Sequence, residues 1–293
     1  MTSAAAAPLR ALRSAHPEWS PWLAVIDAVT VESARSRWGE FVPEPVSSER
    51  TPRIAGASIK LPKELLCGWL NRLTRTAAAA GTEAMASLRS FDKSAFEPLE
   101  IFSAALGQST WRLAELARRC GADPRALAAV TQLVPVPFLH ACTRAWASAN
   151  ATWNESYCYS CGAWPVFAEV RGIEKARYLR CARCGAEWQS HGLQCIFCGT
   201  DDHRDLESLV PQSAEATRTI ECCKRCRSYL KAFTLLQGID RIEIMLHDLA
   251  SVDLDIAAVE QGYRPPDGLG YAVEARLEYA PAAARRFLPW SRQ

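Results

Sequence analysis

Between residues 158 and 226 the chain reads Cys158-Tyr159-Ser160-Cys161-Gly162, then Cys181-Ala182-Arg183-Cys184-Gly185, then Cys195-Ile196-Phe197-Cys198-Gly199, and last Cys223-Lys224-Arg225-Cys226-Arg227. Each C-x2-C knuckle offers two thiolates from one tight turn, half of a tetrahedral four-sulfur site. Four halves make two sites. Nineteen residues separate Cys161 from Cys181, twenty-four separate Cys198 from Cys223, and ten separate Cys184 from Cys195. The first of these gaps falls in the range of a four-cysteine ribbon. The simplest pairing is sequential, with Cys158, Cys161, Cys181 and Cys184 on one ion and Cys195, Cys198, Cys223 and Cys226 on another. Each ion then clamps the base of a β-hairpin. A cross-braced pairing, first knuckle with third and second with fourth, also fits the spacing.

A glycine follows the second cysteine in three knuckles, where a positive φ turns backbone N–H groups toward sulfur. Arg227 takes that place in the fourth and departs from the pattern. Cys222 is four residues from Cys226 and is an alternative to Cys223. The C-x2-C geometry favours Cys223 and leaves Cys222 a free thiol. Cys67, Cys120 and Cys142 fall in helical patterns and read as small core residues. Four thiolates suit zinc, which would fold a segment lacking its own core, or iron, which adds redox activity. Spacing does not separate the two metals. Exchange chemistry of a thioredoxin-like dithiol would make no use of four clustered knuckles with following glycines. Sites closed by four protein ligands keep no open position for metal-assisted hydrolysis.

Outward from the knuckles the remaining signals are weaker. The 293 residues carry a net charge of +2 and are 49% hydrophobic, an ordinary globular composition. Residues 151–235 hold eleven Lys/Arg against ten Asp/Glu. That balance lacks the footprint of a nucleic-acid binder. Residues Met1 to Pro8 show no basic stretch leading into a long apolar run, and no stretch reaches the roughly 18 uninterrupted apolar residues of a membrane span. The expectation is a cytoplasmic protein, where C-x2-C pairs serve metals or redox centres in preference to structural disulfides. No Gly-rich phosphate loop, H-E-x-x-H or G-x-S-x-G occurs, and no enzyme is expected. His140 reads as a core residue, and His191 and His203 as turn residues near the knuckles.

The fold class is α+β: a helical N-terminal domain (1–150), a first ribbon (151–192), a second ribbon (193–235), a C-terminal helix (236–265) and an extended tail (266–293). Ser20-Pro21, Pro62, and the Leu99/Phe102/Leu106 and Leu113/Leu116 periods mark helices, and Gly121-Ala122-Asp123-Pro124 ends one and opens the next. Residues 51–61 read as an irregular connection. Short strands are expected at 166–170, 177–180, 206–210 and 217–221, and a helical run at 242–263. The metal region looks like one unit used twice.

Taken together, Cys158-x-x-Cys161-Gly162, Arg177-Tyr178-Leu179-Arg180-Cys181-x-x-Cys184, Glu187-Trp188, Cys195-x-x-Cys198 and Cys223-x-x-Cys226 followed by Tyr229-Leu230-Lys231 resemble the bacterial formate dehydrogenase accessory protein family, FdhE. Asp248-Leu249-Ala250, Leu254-Asp255 and Gly262-Tyr263 are similar to its C-terminal helix, and Phe287-Leu288-Pro289 to its closing segment. The likeness is strong over about 135–265 and weak in the N-terminal helices. It implies a cytoplasmic maturation factor with two rubredoxin-like sites that hold iron, ligated by the eight knuckle cysteines. The implied partner is the catalytic subunit of a respiratory formate dehydrogenase, met by the knuckle rims and the 242–263 helix, with Arg180, Arg183, Asp248 and Asp255 as contact residues. A homo-oligomer is left open. The alternative is a zinc-ribbon adaptor or nucleic-acid-binding regulator.

Overall fold

The structure, a computed structural model, describes residues 6–46, 48–79, 82–89, 97–147, 153–211 and 217–281. Phe287-Leu288-Pro289 lies outside them. Local chemistry sets the helix ends as the sequence suggests. Gly121, at φ 67°, ends α6 (Thr110–Cys120), and the Asp123 side chain accepts from the Ala126 amide to open α7 (Pro124–Thr131). The other helices of this half are α1 (Ala6–Ala15), α2 (Ser20–Ser33), α3 (Lys63–Ala78), α4 (Glu83–Ala86), α5 (Pro98–Leu106) and α8 (Val136–Ala145). Their apolar stripes close on Trp38, Trp69, Phe102 and Phe138, all fully buried, and Trp69 Nε1 donates to the Val134 carbonyl at 3.0 Å. The α7–α8 stretch, Pro124–Ala145, is long and apolar enough to cross a bilayer by length and composition. Here 78% of its apolar 18-residue window is buried inside the fold, as the centre of the helical core.

The knuckle region forms one six-stranded sheet. Its strands are β2 (Phe167–Arg171), β3 (Ala176–Arg180), β4 (Glu187–Gln189), β5 (Leu206–Leu209), β6 (Arg218–Cys223) and β7 (Tyr229–Leu235), in the order β4-β3-β2-β7-β6-β5. β2–β3 and β5–β6 are the two expected antiparallel hairpins, and β2 pairs in parallel with β7 from Phe167↔Lys231 to Arg171↔Leu235. Along β7 the side chains alternate between faces. Tyr229 and Phe233 meet Phe167 and Ile220 on one face, which the C-terminal helices cover through Ile244, Leu254 and Ala258. Leu230 and Ala232 face the main core with Ala168 and Leu179.

Three departures from expectation have local causes. The 242–263 run is two helices, α9 (Ile244–Ala250) and α10 (Val252–Glu260), because Ser251 leaves helical geometry and its hydroxyl donates to the His247 and Asp248 carbonyls. Residues 51–61 are not all irregular, since Ser58–Leu61 is a strand, β1, paired in parallel with β8 (Arg276–Tyr279). The segment after Tyr263 is a strap: the Tyr271 amide donates to Gly162 O, the Gly56 amide to Glu274 O, and Val273 is buried. It runs from the first knuckle back to the helical half. One core, holding both the helical residues and the sulfurs of the first site, therefore spans the 150/151 boundary.

Candidate metal centres

All four knuckles share one backbone design. The amide of the residue directly after the second cysteine is tied back to the first: the Gly162, Gly185, Gly199 and Arg227 N–H groups donate to the carbonyls of Cys158, Cys181, Cys195 and Cys223 at 2.8–3.0 Å. Each of these turn residues has a positive φ: 73°, 69°, 72° and 61°. Arg227 thus adopts the same left-handed turn as the glycines, at a cost its side chain offsets. Its guanidinium lies 4.3 Å from the Tyr263 ring centroid and donates to the Gln261 and Gly262 carbonyls, tying the fourth knuckle to the end of α10.

The knuckles converge in sequence order. Cys158, Cys161, Cys181 and Cys184 form one group and Cys195, Cys198, Cys223 and Cys226 the other, with the sulfurs of each group within 4.8 Å of one another. Closest Sγ···Sγ distances are 3.4 and 3.5 Å in the first site and 3.7 Å twice in the second. A tetrahedron with metal–sulfur bonds of about 2.3 Å has edges of about 3.8 Å, so both groups fit a four-coordinate thiophilic cation. Without a cation the thiols compete for protons. Burial pushes Cys158, Cys195 and Cys223 up, and S–H donors from Cys158, Cys181 and Cys184 drive Cys161 down. In the second site burial opposes ionisation of Cys226, and the Ser228 amide and hydroxyl, with the Cys195 and Cys223 thiols, overcome it. A cation replaces these shared protons when it binds.

The two sites differ in their surroundings. Every sulfur of the first site is buried, whereas in the second Cys198 is exposed and Cys226 half-exposed. Behind the first site stand His140 and Cys142 of α8. Burial, with Arg144 and Arg241 nearby, lowers His140 to about 3, so it is a neutral core residue. Burial raises Cys142 well above its ordinary value, aided by Cys184 and Cys161. A Cβ on Gly185 would meet His140 Cε1 at 2.8 Å and the Arg241 carbonyl at 2.9 Å, while one on Gly199 meets nothing within 4 Å. Gly185→Ala should therefore cost about 2–4 kcal/mol, from left-handed strain plus overpacking, and Gly199→Ala only about 1–2 kcal/mol from strain. Chemical denaturation of the metal-loaded variants measures both, and equal costs would contradict the difference in packing.

Cys222 stays out of both sites; it is buried in β6, and burial raises it to about 12. Arg180 is buried against Glu169, and Arg183 donates to the Ala105 and Leu106 carbonyls at the end of α5. Asp248 and Asp255 flank buried Lys231, with their side chains 36% and 30% exposed. Sequence reading missed a groove of about 730 Å³ beside the second site, floored by Leu230, Ala232 and Ile196. Its only signal was apolar residues in turns: Leu193 lines it at 89% exposed, and Ile173 and Leu236 are exposed at the ends of β2 and β7, the same end of the sheet. Also missed was the contact between the sites, Trp164 packed edge-on to Phe197 at 5.4 Å.

Residues 193–267 match the sequence model of the FdhE C-terminal domain. The chain is 33% identical over 115 residues to an FdhE homologue of Aquifex aeolicus (strain VF5), covering 38% of this chain and 40% of that protein. It is 31% identical over 119 residues to protein FdhE of Escherichia coli O127:H6, covering 39% and 38%. The matched stretch thus spans about two fifths of the length of these relatives. In structure the chain is similar to the crystal structure of the FdhE protein from Pseudomonas aeruginosa, with a TM-score of 0.55 over 91% of this chain and 93% of that one. At 21% identity this last likeness speaks for the fold.

Proposed function

Because the chain belongs to the FdhE family, we propose that it is a cytoplasmic accessory protein that binds the catalytic subunit of a respiratory formate dehydrogenase during its maturation, and that it holds one iron ion in each four-cysteine centre. The observation that carries this reading is the pair of closed sulfur tetrahedra on one sheet, one sealed and one facing solvent. Four protein thiolates leave no position for a substrate on the ion, which suits a binding platform better than a hydrolase. A thiolate-held iron additionally supplies one-electron chemistry.

In this reading the client contacts the rim of the second site and the adjoining groove with Leu193 on one face of the sheet, and reaches round to the outer edge of α9–α10 with Asp248 and Asp255 on the other. Arg180 and Arg183 are left out of the contact, because both guanidinium groups are engaged inside the fold. Tagged protein used as bait in a formate-grown host should recover the dehydrogenase catalytic subunit, and Leu193→Asp should weaken the recovery. Capture of ribosomal or nucleoid proteins alone would overturn the reading. Protein purified without added metal should absorb strongly in the visible; colourless protein with two zinc ions per chain would overturn the iron assignment.

A further inference from the structure

In the helical half, Glu32 near the end of α2 is 1% exposed and ion-paired with three arginines. Its Oε1 accepts from the Arg37 guanidinium and from Trp38 Nε1 at 2.8 Å; its Oε2 accepts from Arg72 at 2.6 Å and is 3.3 Å from Arg35. One carboxylate thus faces three guanidinium groups, and among the described residues no other acid is ion-paired with them. Two positive charges stay uncompensated. Burial lowers the Arg72 guanidinium from its ordinary value; Glu32 opposes this, and the charges of Arg37 and Arg35 add to it.

Arg72 also lines a crevice of about 530 Å³ between α2 and α3, together with Arg75, Thr76, Pro21, Ala24 and Ala79. Arg75 is exposed and, among the described residues, is paired with no acid; its guanidinium reaches back to the Asn71 carbonyl and adds a third charge. The proline and alanines give the crevice an apolar floor. Concave sites of about 300–1,000 Å³ with an apolar lining and a few convergent polar groups are the usual form of small-molecule sites. Arginine forks match the oxygens of phosphate, and a phosphate group brings about −1.5 to −2 charges at neutral pH. A lone carboxylate would offset only one.

We propose that the α2–α3 crevice is an anion site that takes the phosphate or diphosphate group of a small molecule, held by Arg72 and Arg75, with the ligand's uncharged part over Pro21, Ala24 and Ala79. This site is separate from the metal centres and from the client surface, so it stands or falls independently of the maturation role.

The test is calorimetric titration of full-length, metal-loaded protein with orthophosphate and with pyrophosphate at constant ionic strength. Saturable binding is expected, tighter for pyrophosphate. Arg75→Ala should weaken it about tenfold or more, the usual worth of a charged hydrogen bond. Arg72→Lys, which keeps a cation beside Glu32 but loses the fork, should weaken it too. Arg125→Ala removes an exposed charge on α7 and should leave it unchanged. Because Arg75 is exposed, its variant should keep the parent melting temperature. Absence of saturable heat with both anions, an equal loss in Arg125→Ala, or binding of a glutamate-rich peptide but not pyrophosphate would each overturn the proposal.

Discussion

Replacing Cys181 and Cys184 together by alanine is expected to remove one metal ion and, with it, the cooperative fold. Both sulfurs are fully buried, inside the same core that holds Leu179 and Trp188 of the sheet, Ala186 beside it and Phe138 of α8. A structural four-cysteine ion contributes about 10–16 kcal/mol to folding, as much as or more than the roughly 5–15 kcal/mol net stability of a typical domain. Losing it leaves two polar sulfurs of the first knuckle stranded among apolar groups beneath the strap. The matching change at Cys195 and Cys198 should be milder in its reach. That site borders solvent, so the second module loosens while the helical core keeps its own transition. Metal content per chain and scanning calorimetry distinguish the two. A Cys181/Cys184 variant with full metal content and an unchanged melting profile would show that these residues are not ligands.

Glu169→Ala is expected to be the most damaging single change in the sheet away from the cysteines. Glu169 is wholly buried; its Oε1 accepts from Arg180 at 2.5 Å and from the Ile239 amide at 3.3 Å, and its Oε2 from Arg171 at 2.6 Å. Arg180, 1% exposed, also donates to the Ile239 carbonyl at 2.8 Å. Truncating the acid strands a buried guanidinium, which costs about 3–5 kcal/mol. Glu187, 3.6 Å from Arg180 and half-exposed, recovers only part of that. Changing both partners, Glu169→Leu with Arg180→Met, should restore much of the stability, since no charge is then left unpaired. Urea denaturation at neutral pH measures each step. A single-variant cost below about 1 kcal/mol would show that water or Glu187 replaces the lost partner.

What could be read from the sequence was whatever chemistry is local. The two cysteines of each knuckle and the punctuation at Gly121 and Asp123 sit within a few residues of their partners, and each hairpin joins consecutive knuckles. β7 escaped notice because Tyr229-Leu230-Lys231-Ala232-Phe233 is buried on both faces and shows no clean alternation. The β1–β8 pair joins residues more than 200 positions apart, so neither strand carries a local mark of the other. The break at Ser251 has no glycine or proline to announce it. Of the arginines around Glu32, Arg35 and Arg37 follow it closely in the turn after α2, but Arg72 comes from α3, forty residues on, and only packing brings it there. Arg180 looked like a free basic residue because its acid lies across a hairpin.

The parallel seam between β2 and β7 has one more implication. Each module runs knuckle, strand, strand, knuckle, strand, so β2 corresponds to β5 and β7 to β4. The modules are therefore joined head to tail, and the outermost strands, β4 and β5, are the same complementary couple left unsatisfied at opposite rims. Such a joint is heterologous; repeated between molecules it would build a ring where the rotation closes and a filament where it does not. β7 brings five residues to its seam, Lys231–Leu235, and β4 is only three residues long, so the truncated rim offers a shorter edge for such growth than the internal seam has.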